Sequence, residues 1–156
     1  MFKKILILFH LLIFSLCYSQ NKQINFIIVV DDGLLQIYSD EIRLIDDQNN
    51  ETKVKVSYLP GELTVSQKDY DKISSESTKK LILKVRYIEN QGDTKYFDYE
   101  ISDFNKNWLM NESYFILSIY NTDKKKYRKI YNPLPGKNFT YEYDSPNGSM
   151  RRVRKK

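Results

Sequence analysis

Cysteine and histidine are nearly missing from this sequence. Cys17 and His10 are the only ones, and both fall within residues 1–19. That stretch has the order of a secretory signal peptide. Lys3 and Lys4 give a basic start, Ile5 to Leu16 is apolar apart from His10 and Ser15, and small residues follow at Cys17 and Ser19. An apolar run of roughly twelve residues is shorter than the about twenty that a bilayer core requires. The expected cut lies between Ser19 and Gln20. The alternatives are an uncleaved anchor or a buried core helix. Lipidation at Cys17 is a further alternative, disfavoured by the bulky Leu16 before it. The expected division is a signal peptide over 1–19, a β domain over 20–150 and a basic C-terminal tail over 151–156, exported to the periplasm or the cell exterior.

A chain without its leader has neither thiol nor imidazole. That excludes Cys–His and Ser–His–Asp catalysis, zinc sites with sulfur or imidazole ligands, and haem held by His or Cys. Disulfides are excluded too, and about 137 residues bury enough core to do without them. No cofactor and no metal are expected, and the chain does not read as an enzyme. Glycine and proline are also scarce, at five and four residues, which argues against low complexity or disorder.

One-signed charge is scarce outside the tail. Loss of Lys3 and Lys4 lowers the formal charge by two from +5, and most of the remaining excess sits in Arg151, Arg152, Arg154, Lys155 and Lys156. The body is near neutral with mixed signs, so no basic face of the kind nucleic-acid binders carry is expected.

What is present is tyrosine, thirteen in all, together with isoleucine and valine, residues that suit pleated, half-buried surfaces. Alternation of period two recurs along the chain. It predicts strands over Ile24–Val30, Leu34–Ile45 (one strand or two, bent near Ser39-Asp40), Thr52–Tyr58, Leu63–Val65, Lys80–Ile88 and Lys95–Ile101. Further strands are expected over Tyr114–Tyr120, Lys126–Asn132, Asn138–Tyr143 and, at an edge, Met150–Arg154. Tyr114–Tyr120 is apolar on both faces and is expected at the centre of a sheet. Turns are expected at Asp31-Asp32-Gly33, Asp46–Glu51, Pro60-Gly61, Asn90-Gln91-Gly92-Asp93, Asn121–Lys125, Pro133-Leu134-Pro135-Gly136 and Ser145-Pro146-Asn147-Gly148. Ser66 reads as an N-cap with Asp69 favouring the helix start, so Ser66–Ser74 is the one short helix expected. Ser102–Glu112, with Trp108, reads as irregular.

Eight or nine short strands at regular spacing predict an all-β fold, a single antiparallel β-sandwich of immunoglobulin-like kind. The alternative is an up-and-down β-barrel with an internal cavity.

The candidate chemistry is thin. Asp31-Asp32 and Asp46-Asp47 are carboxylate pairs, but aspartate in turns caps backbone more often than it catalyses. Asp46, Gln48 and Asn50 alternate like calcium ligands, yet Glu51 and Ser57 stand where an EF-hand needs glycine and glutamate. Trp108, Tyr127 and Tyr131 form either an aromatic platform for a glycan or protein partner or ordinary core packing. Arg151, Arg152 and Arg154 either meet an acidic partner or anionic head groups, or fray into solvent. Membrane association is expected only through those head groups or a lipidated Cys17. Asn50, Asn111, Asn138 and Asn147 head glycosylation triplets, which matter only on a eukaryotic route. The function expected is a non-catalytic exported binding or envelope-associated module acting through a protein or glycan surface. The alternative is a small-ligand carrier or, less favoured, a small hydrolase in a β-barrel.

Overall fold

The computed structural model describes residues 21–36, 38–91, 93–110 and 113–155. The leader with Cys17 and His10, the glycosylation triplet at Asn111 and the turn residue Gly92 lie outside them.

Alternating burial builds two sheets. The first runs β1 (Asn21–Ile24), β6 (Glu62–Ser66), β5 (Glu51–Leu59), β4 (Tyr38–Asp46), β7 (Thr78–Gln91) and β8 (Asp93–Phe104), every neighbour antiparallel. The second runs β11 (Gly148–Met150), β10 (Phe139–Ser145), β9 (Phe115–Asn121), β2 (Phe26–Val30) and β3 (Gly33–Leu34). Its β2–β9 pair is parallel, so the sandwich is not purely antiparallel. β9 is central in its sheet, as its apolar sequence predicts.

The chain does not close into an up-and-down barrel, because consecutive strands change sheet. The run Ile24–Val30, expected as one strand, breaks at Asn25, which sends β1 to one sheet and β2 to the other. The Asn25 carbonyl accepts the Phe115 N–H at 2.9 Å and its amide donates to the Ser113 carbonyl at 2.7 Å, holding the crossover. The run Leu34–Ile45 likewise divides between β3 and β4, in different sheets and before Ser39.

One core fills the space between the sheets. Val54, Val56 and Tyr58 of β5 and Leu81, Leu83 and Val85 of β7 face Phe26, Ile28, Leu117, Ile119 and Phe139 across it. The Phe26 ring lies 6.2 Å from that of Tyr58 and 5.8 Å from that of Phe115. The Tyr58 hydroxyl accepts the Ile28 N–H at 2.8 Å, a polar tie from one sheet to the other's backbone. Burial raises the Tyr58 pKa.

Local chemistry explains the turns. Gly61 has φ +92°, as the second central position of a Pro-Gly turn requires. At the β2–β3 hairpin the left-handed positions are Asp31 (φ +53°) and Asp32 (φ +65°), and Gly33 begins the return strand. Aspartate tolerates that region because its short side chain bonds locally.

Three helices are present among the described residues. α1 (Gln67–Ser74) is capped by Ser66, whose hydroxyl accepts the Asp69 N–H at 3.1 Å. α2 (Lys106–Met110) and α3 (Lys125–Arg128) replace an irregular segment and part of an expected strand. The Lys126–Asn132 reading fails for a simple reason. A spacing of four puts Tyr127 and Tyr131 on one side of a strand and equally on one face of a helix.

Candidate functional site

The sequence candidates divide between two places. Trp108, on α2, is partly buried at the margin of the core. Its ring lies 5.2 Å from Phe104, 5.6 Å from Phe115 and 4.3 Å from Tyr143. Tyr127, Tyr131 and the three arginines gather elsewhere, on the outer side of the second sheet.

That outer side has its own small interior. Phe139 and Tyr141 of β10 point into the main core, so Thr140 and Glu142 point away from it. Yet Thr140 is 0% and Glu142 2% exposed. The cover is α3 and the chain after β11. Tyr131 stacks on Tyr120 at 4.6 Å and 17°, and Tyr127 lies 5.3 Å from the same ring. Both are buried, so the tyrosines form a floor rather than an exposed platform. Burial and the neighbouring Tyr120 push the Tyr131 hydroxyl up to about 12.

The β2–β3 hairpin anchors one flank of this cover. Asp31, whose side chain is 4% exposed, pairs with Lys124 at 2.9 Å and accepts the Asn121 N–H at 2.7 Å. Lys124 also reaches Glu89 of β7 at 2.7 Å. Burial works against its ammonium, but the two carboxylates outweigh it and raise the Lys124 pKa. Asp32 pairs with Lys126 and accepts the Tyr127 hydroxyl at 3.0 Å. The Lys126 bond outweighs desolvation and lowers the Asp32 pKa. Asp31 therefore positions the loop before α3, and Asp32 the helix itself. Asp46 spends its oxygens on its own turn, accepting the Gln48 N–H at 2.9 Å and the Asn50 N–H at 2.7 Å.

The C-terminal segment anchors the other flank and does not fray. Arg152 N–H donates to Glu142 at 2.9 Å, and its guanidinium lies 5.1 Å over the Tyr141 ring. Arg154 bridges Tyr131 in the backbone and sets its guanidinium 5.4 Å over the Tyr131 ring. Lys155 N–H donates to the Ile130 carbonyl and its ammonium to the Arg128 carbonyl, each at 2.8 Å. Arg151 pairs with Asp144 at 2.6 Å just past the end of β11, which stops at Met150 where an edge strand to Arg154 was expected.

These contacts bring two basic segments side by side, Lys124–Lys129 and Arg151–Lys155. Lys124, Lys126 and Arg151 are neutralised by the aspartates and glutamate named above. Among the described residues, Lys125, Arg128, Lys129, Arg152, Arg154 and Lys155 make no ion pair with a carboxylate. All but the half-buried Arg152 are exposed. This is a same-signed ridge on a rigid tyrosine floor. The charge run Lys124–Lys129 is visible in the sequence. Its pairing with Arg151–Lys155 is not visible there, because that segment lies beyond β10 and β11.

Two grooves lie elsewhere. One of about 410 Å³ runs beside α1, among Leu44, Asp46, Asn50, Lys68, Asp71 and Thr78. Another of about 420 Å³ sits on the outer face of the first sheet, among Glu41, Arg43, Glu51, Lys53, Lys84 and Glu100. Both are open to solvent, and aromatic side chains line neither. Among the described residues no helix is long and apolar enough to cross a membrane. Comparisons with protein-family models, with curated proteins and with solved structures give no match to this chain.

Proposed function

We propose that this protein is an exported, non-catalytic binding module that presents the ridge of α3 and the C-terminal segment to an anionic component of the cell envelope. One observation carries the reading: six cations that make no carboxylate ion pair among the described residues, drawn from two distant segments, are brought together by the Arg154–Tyr131 and Lys155–Arg128 contacts. Clustered charge of one sign creates a local potential that mixed charge does not. Acidic proteins, acidic glycans and lipid head groups share carboxylate, sulfate or phosphate oxygens, to which arginine forks donate. Pinning Arg152 and Arg154 on tyrosine rings lowers the ordering cost of binding. The leader-like residues 1–19 support the export part of the reading. The immunoglobulin-like form of the sandwich belongs to the same proposal, supported by two facing sheets with the chain crossing between them at Asn25.

The test is retention on dextran sulfate. The wild-type protein is retained at low salt and elutes as salt rises, because screening shortens the reach of surface charge to about 3 Å near 1 M. The triple variant Lys125→Glu, Arg128→Glu, Lys129→Glu, folded by circular dichroism, runs through. Wild-type protein that is folded yet never retained removes the reading.

The groove beside α1 favours a second reading, a carrier of a small polar ligand, because its volume of about 410 Å³ is that of a ligand site. A screen of small polar compounds that leaves the melting temperature unmoved sets that reading aside.

A further inference from the structure

We infer that the ridge is a membrane-docking surface, seating the domain on an anionic lipid bilayer with Val153 turned to the lipid. This rests on the proposed working surface and narrows its anionic partner to head groups in a bilayer.

Val153 is 86% exposed, the most exposed large apolar side chain among the described residues. The guanidinium groups on either side of it are anchored, Arg152 over the Tyr141 ring at 5.1 Å and Arg154 over the Tyr131 ring at 5.4 Å, and Val153 between them is left to solvent. Backbone ties on both sides keep it there, from Arg152 to Glu142 at 2.9 Å and from Lys155 to Ile130 at 2.8 Å.

An acidic polymer in water offers a valine nothing to bury against. The boundary between head groups and acyl chains does, and it also offers anions to the surrounding cations. Lys155, two residues on, and Arg128, whose carbonyl accepts the Lys155 ammonium at 2.8 Å, bring that charge near Val153, and Lys125 and Lys129 extend it along α3; all four are exposed and make no carboxylate ion pair among the described residues. A single valine is a shallow anchor, so binding is reversible and needs both terms together, as two weak signals do in peripheral proteins.

The experiment is co-sedimentation with phosphatidylcholine vesicles, with and without about one third phosphatidylglycerol. The protein is used in the N-terminal form in which the cell accumulates it, so that the leader region is common to all variants. Wild type pellets with the anionic vesicles and at least about tenfold less with neutral ones. Val153→Ser weakens anionic binding by about threefold to tenfold, and Val153→Trp strengthens it, because only apolar contact changes. Equal binding by wild type, V153S and V153W overturns the inference, since charge or the leader then suffices. Retention on dextran sulfate without vesicle binding also overturns it, and points to an acidic glycan or protein while the ridge stands. Binding to neither overturns the ridge and the membrane together.

Discussion

The outer sides of the two sheets both carry charge and use it in opposite ways. On the first sheet Arg43, Lys53, Lys84 and Arg86 each meet an acid on another strand. Arg43 pairs with Glu51 at 3.5 Å and also with Glu100. Lys53 pairs with Glu41 at 3.1 Å, and Lys84 and Arg86 share Asp98 at 3.1 and 2.8 Å. Even Arg43 and Lys53, directly opposite in register, are each drawn to an acid rather than left facing each other. Such pairs cancel one another's charge beyond a Debye length and offer little field to a partner. On the second sheet the strands hold few charges outward. The charge arrives with α3 and the C-terminal segment, is of one sign, and rests on buried tyrosines. Pairing makes the first face a solvated wall. Segregation makes the second a surface with reach.

The contrast predicts an order of sensitivity. Phe26→Ala, in the core that both faces share, costs about 3–5 kcal/mol and lowers urea stability for the whole domain, since its ring is fully buried between the sheets. A loss under about 1 kcal/mol shows that the core repacks and that the sheets do not depend on one another there. Tyr131→Ala costs about 3 kcal/mol and also frees the C-terminal segment, so limited proteolysis cuts among Arg151–Lys155 faster than in wild type. Arg43→Ala, on the paired face, costs at most about 1 kcal/mol and leaves that cleavage rate unchanged. Equal cleavage in the two variants erases the distinction between wall and ridge.

Titration separates the faces next. Tyr131 is raised from 10.0 to about 12, so its stabilising contribution is complete below pH 10 and is lost as pH rises through about 12. Tyr131→Phe flattens the alkaline decline in urea stability, and tyrosinate absorbance reports the late ionisation. Asp98 on the first face moves the other way. The Arg86 bond, reinforced by Lys84 and opposed by desolvation, lowers it from 3.8 to about 2. Its contribution is present above pH 3.8 and fades as pH falls through about 2. Because this carboxylate is about 41% exposed, solvent screening keeps the effect the smallest of the set. A steep acid transition that Asp98→Asn abolishes contradicts this, and makes the paired face a stabilising network instead of a wall.

Much of the first sheet was legible. Val54, Val56 and Tyr58, or Leu81, Leu83 and Val85, alternate cleanly because one face meets the core and the other meets water. Ser66 capping Asp69 and the Pro60-Gly61 turn were legible for a different reason, since each is a bond or dihedral settled within four residues. The site was hard to see. Tyr127 and Tyr131 satisfy two periodicities at once, and only the floor offered by Tyr120 decides for a helix. Glu142 alternates outward like any solvated residue, yet it is buried by segments that follow and precede it in sequence.

The amino-acid sequence by itself determined the strand-rich body, its inward faces and most of its turns, because each of these depends on neighbours a few residues away. The tertiary structure alone decided that Asn25 changes sheet, that β2 and β9 run parallel, and that Lys125–Lys129 and Arg151–Lys155 form one surface. The reason is reach. Local periodicity records whether a side chain meets water or core, while the meeting of distant segments depends on backbone bonds such as Lys155 to Ile130, formed only once the sheets are in place.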